Sequence, residues 1–177
     1  MLQLLVIAAL LGITPQAAAD HPQTHLSPTG GLQAVVSNVG PTGSESRIEI
    51  RSSNRRLLRY LDLRSPDGEH GFLVSRAAWT DDGRYFVFSV VSSGGHQPWH
   101  LPTYVYSRRD NRVYSLEAYV GPVTSAFELI GNGRVAVTRQ RIGPDLRDES
   151  GGPDPRDERV VVQLSRLGRR FNAPRPN

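Results

Sequence analysis

Three pairs of adjacent arginines, Arg55-Arg56, Arg108-Arg109 and Arg169-Arg170, are the residues of this chain best suited to chemistry. A guanidinium is a planar fork of donors that grips a carboxylate or phosphate through two parallel hydrogen bonds. Several on one edge would make an anion-recognition surface. The plainer reading is that charged residues solvate hairpin tips, with Asp81, Asp82 and Asp110 neutralising them nearby. A second set is His70, His96 and His100, whose imidazoles are of the kind that ligate zinc or copper. His96 and His100 stand four apart, yet Pro98 lies between them and Gly94-Gly95 precede them, which argues against the helix that would align two ligands. These three histidines are therefore weak metal candidates, and no metal is expected. Trp99, in the same loop, is a candidate contact for a sugar or a protein, unless it folds back as a lid on the sheet. The acidic residues from Asp145 to Glu158 are interrupted by arginine and proline and lack calcium-loop spacing. No nucleophile elbow, zinc-protease helix, phosphate loop or dinucleotide fingerprint occurs, so neither a catalytic residue nor a cofactor is expected.

The elements that must carry these residues are strands. Ala78-Trp79-Thr80-Asp81-Asp82-Gly83-Arg84-Tyr85-Phe86-Val87-Phe88 and Glu128-Leu129-Ile130-Gly131-Asn132-Gly133-Arg134-Val135-Ala136-Val137-Thr138 share one plan: an apolar run, Asp-Gly or Asn-Gly, an arginine, then a β-rich run. That is a hairpin signature, because both turn residues tolerate positive φ. Strands are expected at Leu32–Ser37, Arg47–Arg51, Leu57–Leu63, Phe72–Trp79, Tyr85–Val91, Thr103–Ser107, Val113–Ala118, Val123–Leu129, Val135–Arg139 and Arg159–Leu164. No window shows sustained helical periodicity. The strands group into units at about 31–64, 72–120 and 123–171, a single all-β domain over 31–171 with a loop at 143–158. Residues 20–30 read as a flexible leader and 172–177 as a disordered tail. In such a meander alternate turns share a rim. The Gly83 and Gly133 turns and the arginine pairs would occupy one rim, and His70, His96, His100 and Trp99 the other.

The segment from Ala78 to Phe88 resembles the WD40-like PD40 repeat of the Tol-system periplasmic protein and of prolyl oligopeptidase propellers, with its W-S-P-D-G-(K/R)-x-I-x-F pattern. The third unit matches in part and the first poorly. Ser65-Pro66-Asp67-Gly68 echoes the middle of the motif but lies too near Gly83 to start another blade. The resemblance implies four-stranded blades and transfers no active site, since the shared motif is structural. A closed propeller takes four or more blades. About three units would make a partial propeller, and a sandwich or an open barrel satisfies the same pattern equally.

Composition bounds the setting. Residues 1–19 read as a secretory signal, with an apolar run from Leu4 to Ile13 and Ala17-Ala18-Ala19 before a mature start at Asp20. The chain has no cysteine, which removes disulfides, thiolate metal sites and a lipid-anchored cysteine. Its 21 basic residues are all arginine and its formal net charge is +4, a mild attraction to anions. The sequence thus points to an exported, non-catalytic binding or scaffolding domain of the bacterial envelope, periplasmic or secreted. Its expected partner is an envelope protein or an anionic polymer; nucleic acid and a membrane span are not expected. Two other roles fit the same residues: pairing with a second copy, or a metal-handling or enzymatic function on the histidine rim.

Overall fold

Eleven strands join into three antiparallel sheets in the computed structural model, which describes residues 22–40, 43–95, 99–141 and 156–168. The expected signal at 1–19, the tail at 172–177 and residues 143–155 of the expected loop lie outside the described residues. The first sheet runs β1 (Gln23–Leu26), β2 (Leu32–Val39), β3 (Glu45–Ser52) and β4 (Leu57–Asp62), each paired with the next. The second repeats that order with β5 (Phe72–Trp79), β6 (Tyr85–Ser92), β7 (Thr103–Ser107) and β8 (Arg112–Ser115). The third holds β9 (Glu128–Leu129), β10 (Arg134–Arg141) and β11 (Arg156–Gln163). None closes into a barrel, and the whole is a propeller-like meander of three blade-like units.

Three expectations need correction. Residues 23–26 are not a loose leader but the first strand, paired with β2 from Gln23↔Val36 to Leu26↔Gln33. Their polar composition hid this because an edge strand needs few apolar residues. What holds β1 is its backbone: the His25 carbonyl accepts the Trp79 indole N–H from the next sheet at 2.9 Å. Val123–Leu129 is likewise not a continuous strand. Val123 makes an isolated bridge to Arg139, and only Glu128 and Leu129 join the sheet. Val123 and Phe127 are instead buried side chains in an irregular segment. The stretch after Ser115 also leaves the strand for a single helical turn, Glu117–Val120, which buries Leu116 and Val120.

The turns show how local sequence sets the corners. At the β9–β10 corner Gly131, Asn132 and Gly133 all have positive φ, 77°, 52° and 63°, and these three residues join Ile130 to Arg134, whose carbonyl accepts the Ile130 N–H at 3.2 Å. At Asp81-Asp82-Gly83 only Gly83 does, at 61°; the Thr80 carbonyl accepts its N–H at 2.8 Å, so the reversal is longer. The turn between β3 and β4 is built on the same plan but puts Arg55 at φ 65°. An L-residue pays roughly 1–2 kcal/mol there. Arg55→Gly is therefore expected to raise stability by about 0.5–1 kcal/mol after the extra freedom glycine gains in the unfolded chain. Urea unfolding with an unchanged slope and a higher midpoint is the measurement.

Packing explains why the second sheet is the most apolar. Leu32, Ala34, Val36, Ile48 and Ile50 of the first sheet meet Trp79, Phe86, Phe88, Val90 and Tyr106. From the opposite face of the second sheet, Val87 and Val105 pack on Val135, Val137, Val123 and Phe127. Phe86, Val87, Phe88, Ser89 and Val90 of β6 are all buried, because that strand is covered on both sides. Leu164 and Leu167, after β11, plug the second seam.

Candidate functional site

The turns β1–β2, β3–β4, β5–β6, β7–β8 and β9–β10 share one rim, as the meander requires. Direct bonds tie neighbours together: Ser53 N–H to the Gly31 carbonyl at 3.0 Å, and Arg108 N–H to the Arg84 carbonyl at 2.9 Å. Between the second and third sheets this rim opens into a cleft of about 620 Å³. Arg84, Arg109 and Arg112 line it together with Tyr85, Tyr114, Ser107, Asp110 and, after β11, Leu164, Ser165, Leu167 and Gly168.

Each side chain has a local reason for its place. Arg84 follows Gly83, and Asp82 fixes it: Asp82 Oδ2 accepts from Arg84 Nε at 2.7 Å while Oδ1 accepts Thr80 Oγ1–H at 2.6 Å. Burial pulls the Asp82 carboxyl upward, but the Thr80 and Arg84 hydrogen bonds outweigh it and hold its pKa below the ordinary range. Asp110 accepts Ser107 Oγ–H at 2.9 Å and the Tyr114 hydroxyl at 3.2 Å, which orients the ring on the cleft wall. Burial first, and Asp110 second, push the Tyr114 phenol up, so it stays a neutral donor. Arg109 reaches Asp110 only at 4.0 Å, and its side chain is 91% exposed. The floor is pinned by Gly168 N–H, which donates to Tyr119 Oη at 2.6 Å. The result is three guanidinium groups and two phenols around one lining carboxylate.

The sequence-expected arginines do not all meet there. Arg55 and Arg56 sit at the first-sheet end of the rim, exposed. Arg108 is turned the other way, donating to Thr29 Oγ1 and the Gly30 carbonyl at 3.3 Å each, and so fastens the second sheet's turn to the first sheet's. Arg109 alone of the four described lines the cleft, and Arg169 and Arg170 lie outside the described residues. Sequence reasoning missed Arg84 and Arg112. A signal for Arg84 existed: an arginine directly follows the turn glycine in both copies of the hairpin plan, Arg84 after Gly83 and Arg134 after Gly133.

On the opposite rim His70 Nδ1 is 2.6 Å from Asp67 Oδ2, and His100 Nε2 is 2.6 Å from Glu117 Oε1. His96 lies outside the described residues, and among the described residues no three His, Cys, Asp or Glu are placed to hold a metal. Trp99 is 47% exposed and tilts over His100 with ring centroids 5.4 Å apart. A further residue that sequence reasoning missed is Glu45, fully buried. Its Oε1 accepts Ser65 Oγ–H and Gly71 N–H, both at 2.6 Å, while Oε2 finds no partner among the described residues. The Ser65 hydroxyl is the main cause of its lowered pKa, and burial opposes it. Glu45 ties the loop between the first two sheets to β3. It also lines a shallower cleft of about 520 Å³ with Asp62, Arg64 and Asp67, where the bidentate Arg64 bond brings Asp62 down to about 2.

No family model matches the chain, and no curated protein sequence does. Among solved structures, a chain from a structural and mechanistic study of two prolyl endopeptidases overlaps it with a TM-score of 0.46 at 18% identity. That overlap takes in 82% of this chain and 20% of the other, so the protein spans about a fifth of that chain's length. An overlap so loose leaves the site to be read from its own residues. The PD40 likeness accordingly rests on the sequence of residues 78–88 and, in part, on that of the third unit.

Proposed function

We propose that this chain is a non-catalytic binding domain of the bacterial cell envelope that takes an anionic ligand in the cleft between its second and third sheets. The observation that carries the reading is the convergence of Arg84, Arg109 and Arg112 with Tyr85 and Tyr114 on one open cleft. Guanidinium forks supply charge-assisted bonds to a carboxylate or phosphate, and the two tyrosine rings offer flat faces for the group that carries the anion. Such ligands abound at an envelope as acidic glycans, phosphorylated lipid headgroups and acidic protein patches. The signal-like residues 1–19 support export to that compartment.

The test uses the purified chain and polygalacturonate as a polycarboxylate probe, measured by calorimetry at low and at physiological salt. Binding is expected to weaken as salt rises. Arg109→Gln/Arg112→Gln together should reduce affinity by roughly tenfold or more, since each charge-assisted bond contributes about 1.5–3 kcal/mol when well placed. Both side chains are exposed, so the fold should survive the change. Arg55→Gln/Arg56→Gln, on the same rim but off the cleft, should leave affinity within about twofold. Equal losses from both double variants would mean diffuse charge attraction rather than a site, and no loss from either would remove the reading.

A further inference from the structure

The turn bonds make the faces of the three sheets comparable residue by residue. In the first sheet Ser27 N–H donates to the Leu32 carbonyl and Gly30 N–H to that of Ser27. In the second, Thr80 N–H donates to Tyr85 and Gly83 N–H to Thr80 in the same pattern. Leu32 thus corresponds to Tyr85, and Gln33 to Phe86. In the third, Ile130 N–H donates to the Arg134 carbonyl, so Arg134 takes the place of Tyr85 and Val135 that of Phe86.

This alignment gives every sheet a forward and a backward face. Leu32 packs forward on the second sheet, and Tyr85 forward on the third; Phe86 packs backward on the first, and Val135 backward on the second. Forward meets backward both times, so the stack has a direction. Among the described residues two faces are left without a mate: the backward face of the first sheet and the forward face of the third.

Those two faces hold four of the five most exposed large apolar side chains among the described residues. Cross-strand pairing puts Leu26, Gln33, Arg51 and Leu57 in one row and Val35, Glu49 and Tyr60 in the next, all on the backward face of the first sheet. Leu26 is 71%, Leu57 49% and Tyr60 43% exposed. Val161, opposite Ala136 on the forward face of the third sheet, is 50% exposed. Some of the charges beside them are paired in the plane of each face, Glu49 with Arg51 and Glu128 with Arg159, while Arg47 on the first face and Arg134 on the third are exposed outside those pairs. Such a mixture of apolar residues and paired charges is typical of reversible association.

We propose that two copies of this chain associate head to tail, the forward face of the third sheet in each covering the backward face of the first sheet in the other. The occupant is a second copy because a forward face already mates with a backward face twice within one molecule. A two-fold arrangement satisfies both free faces at once and leaves none over. Six sheets also fall within the range that closed propellers use. The contact is separate from the anion cleft, whose arginines lie on neither face.

Sedimentation velocity of the purified chain, from about 1 to about 100 μM, the span of moderate to weak association, tests it. The expected result is a concentration-dependent shift to twice the monomer mass. Leu57→Glu and Val161→Glu should each abolish the shift while circular dichroism stays that of the natural chain, because each alters one of two mutually dependent faces. A monomer at every concentration overturns the proposal, as do polymers longer than two. A dimer lost in only one of the two variants would mean that like faces meet, and would overturn it equally.

Discussion

A Gly71→Ala chain is expected to melt about 10 °C below the natural protein, or to be recovered unfolded. Gly71 is where the loop leaving the first sheet enters the second. Its N–H donates to buried Glu45 at 2.6 Å, and its carbonyl accepts Ser93 N–H at 3.0 Å. A methyl group there would stand 2.7 Å from Glu45 Cδ, and nearer still to Glu45 Oε1 and the Leu63 carbonyl oxygen. Leu63 O is backbone, held by the Phe72 N–H at 2.9 Å, and cannot swing aside as a side-chain tip would. Overpacking costs about 1–3 kcal/mol when neighbours can shift, and this site belongs at the upper end. For a domain of this size 3 kcal/mol is roughly 6–12 °C in the midpoint. Scanning calorimetry decides it: a variant melting within about 2 °C of the natural chain would show that the loop has room the close approach denies.

Phe86→Ala is expected to cost about 3–5 kcal/mol, a large share of the stability of a domain this small. The ring is fully buried and bridges the first two sheets, with centroids 5.2 Å from Trp79, 5.6 Å from His25 and 6.0 Å from Phe88. Its removal leaves a void that the flanking strands cannot close, since β6 is hydrogen-bonded on both sides. Phe86→Leu keeps most of the volume and should cost less than about 1.5 kcal/mol. Guanidinium unfolding followed by Trp79 and Trp99 fluorescence measures both. Equal midpoints for the two variants would contradict a volume-controlled contact.

Strand positions were legible because their signal is local. Phe72–Trp79 and Thr103–Ser107 match the expected bounds, since alternating apolar side chains between glycine corners leave little choice of register. The tight corner at Asn132-Gly133 follows equally from residues that accept positive φ. β1 was not legible, because its place depends on a long-range bond from Trp79 and on the open edge of β2 rather than on its own side chains. Glu45 was invisible for a related reason: within the polar stretch Ser44-Glu45-Ser46 nothing local shows that a loop some 20 residues on will close over it.

The arginines divide in the same way. Which residues stand at turns, and that those turns share a rim, was determined by the amino-acid order, because a meander alternates its corners. Which guanidiniums face a common space was not. Arg108 and Arg109 are neighbours in the chain, yet one fastens the first sheet and the other lines a cleft beside the third. Side-chain direction at a turn depends on which sheet lies across the seam, and packing between sheets fixes that. The order of residues alone therefore determined three pleated units, their corners and an arginine-bearing rim. The stacking of those units, and with it the cleft and the two unmated end faces, was decided only in three dimensions, because burial between sheets is a property of distant residues acting together.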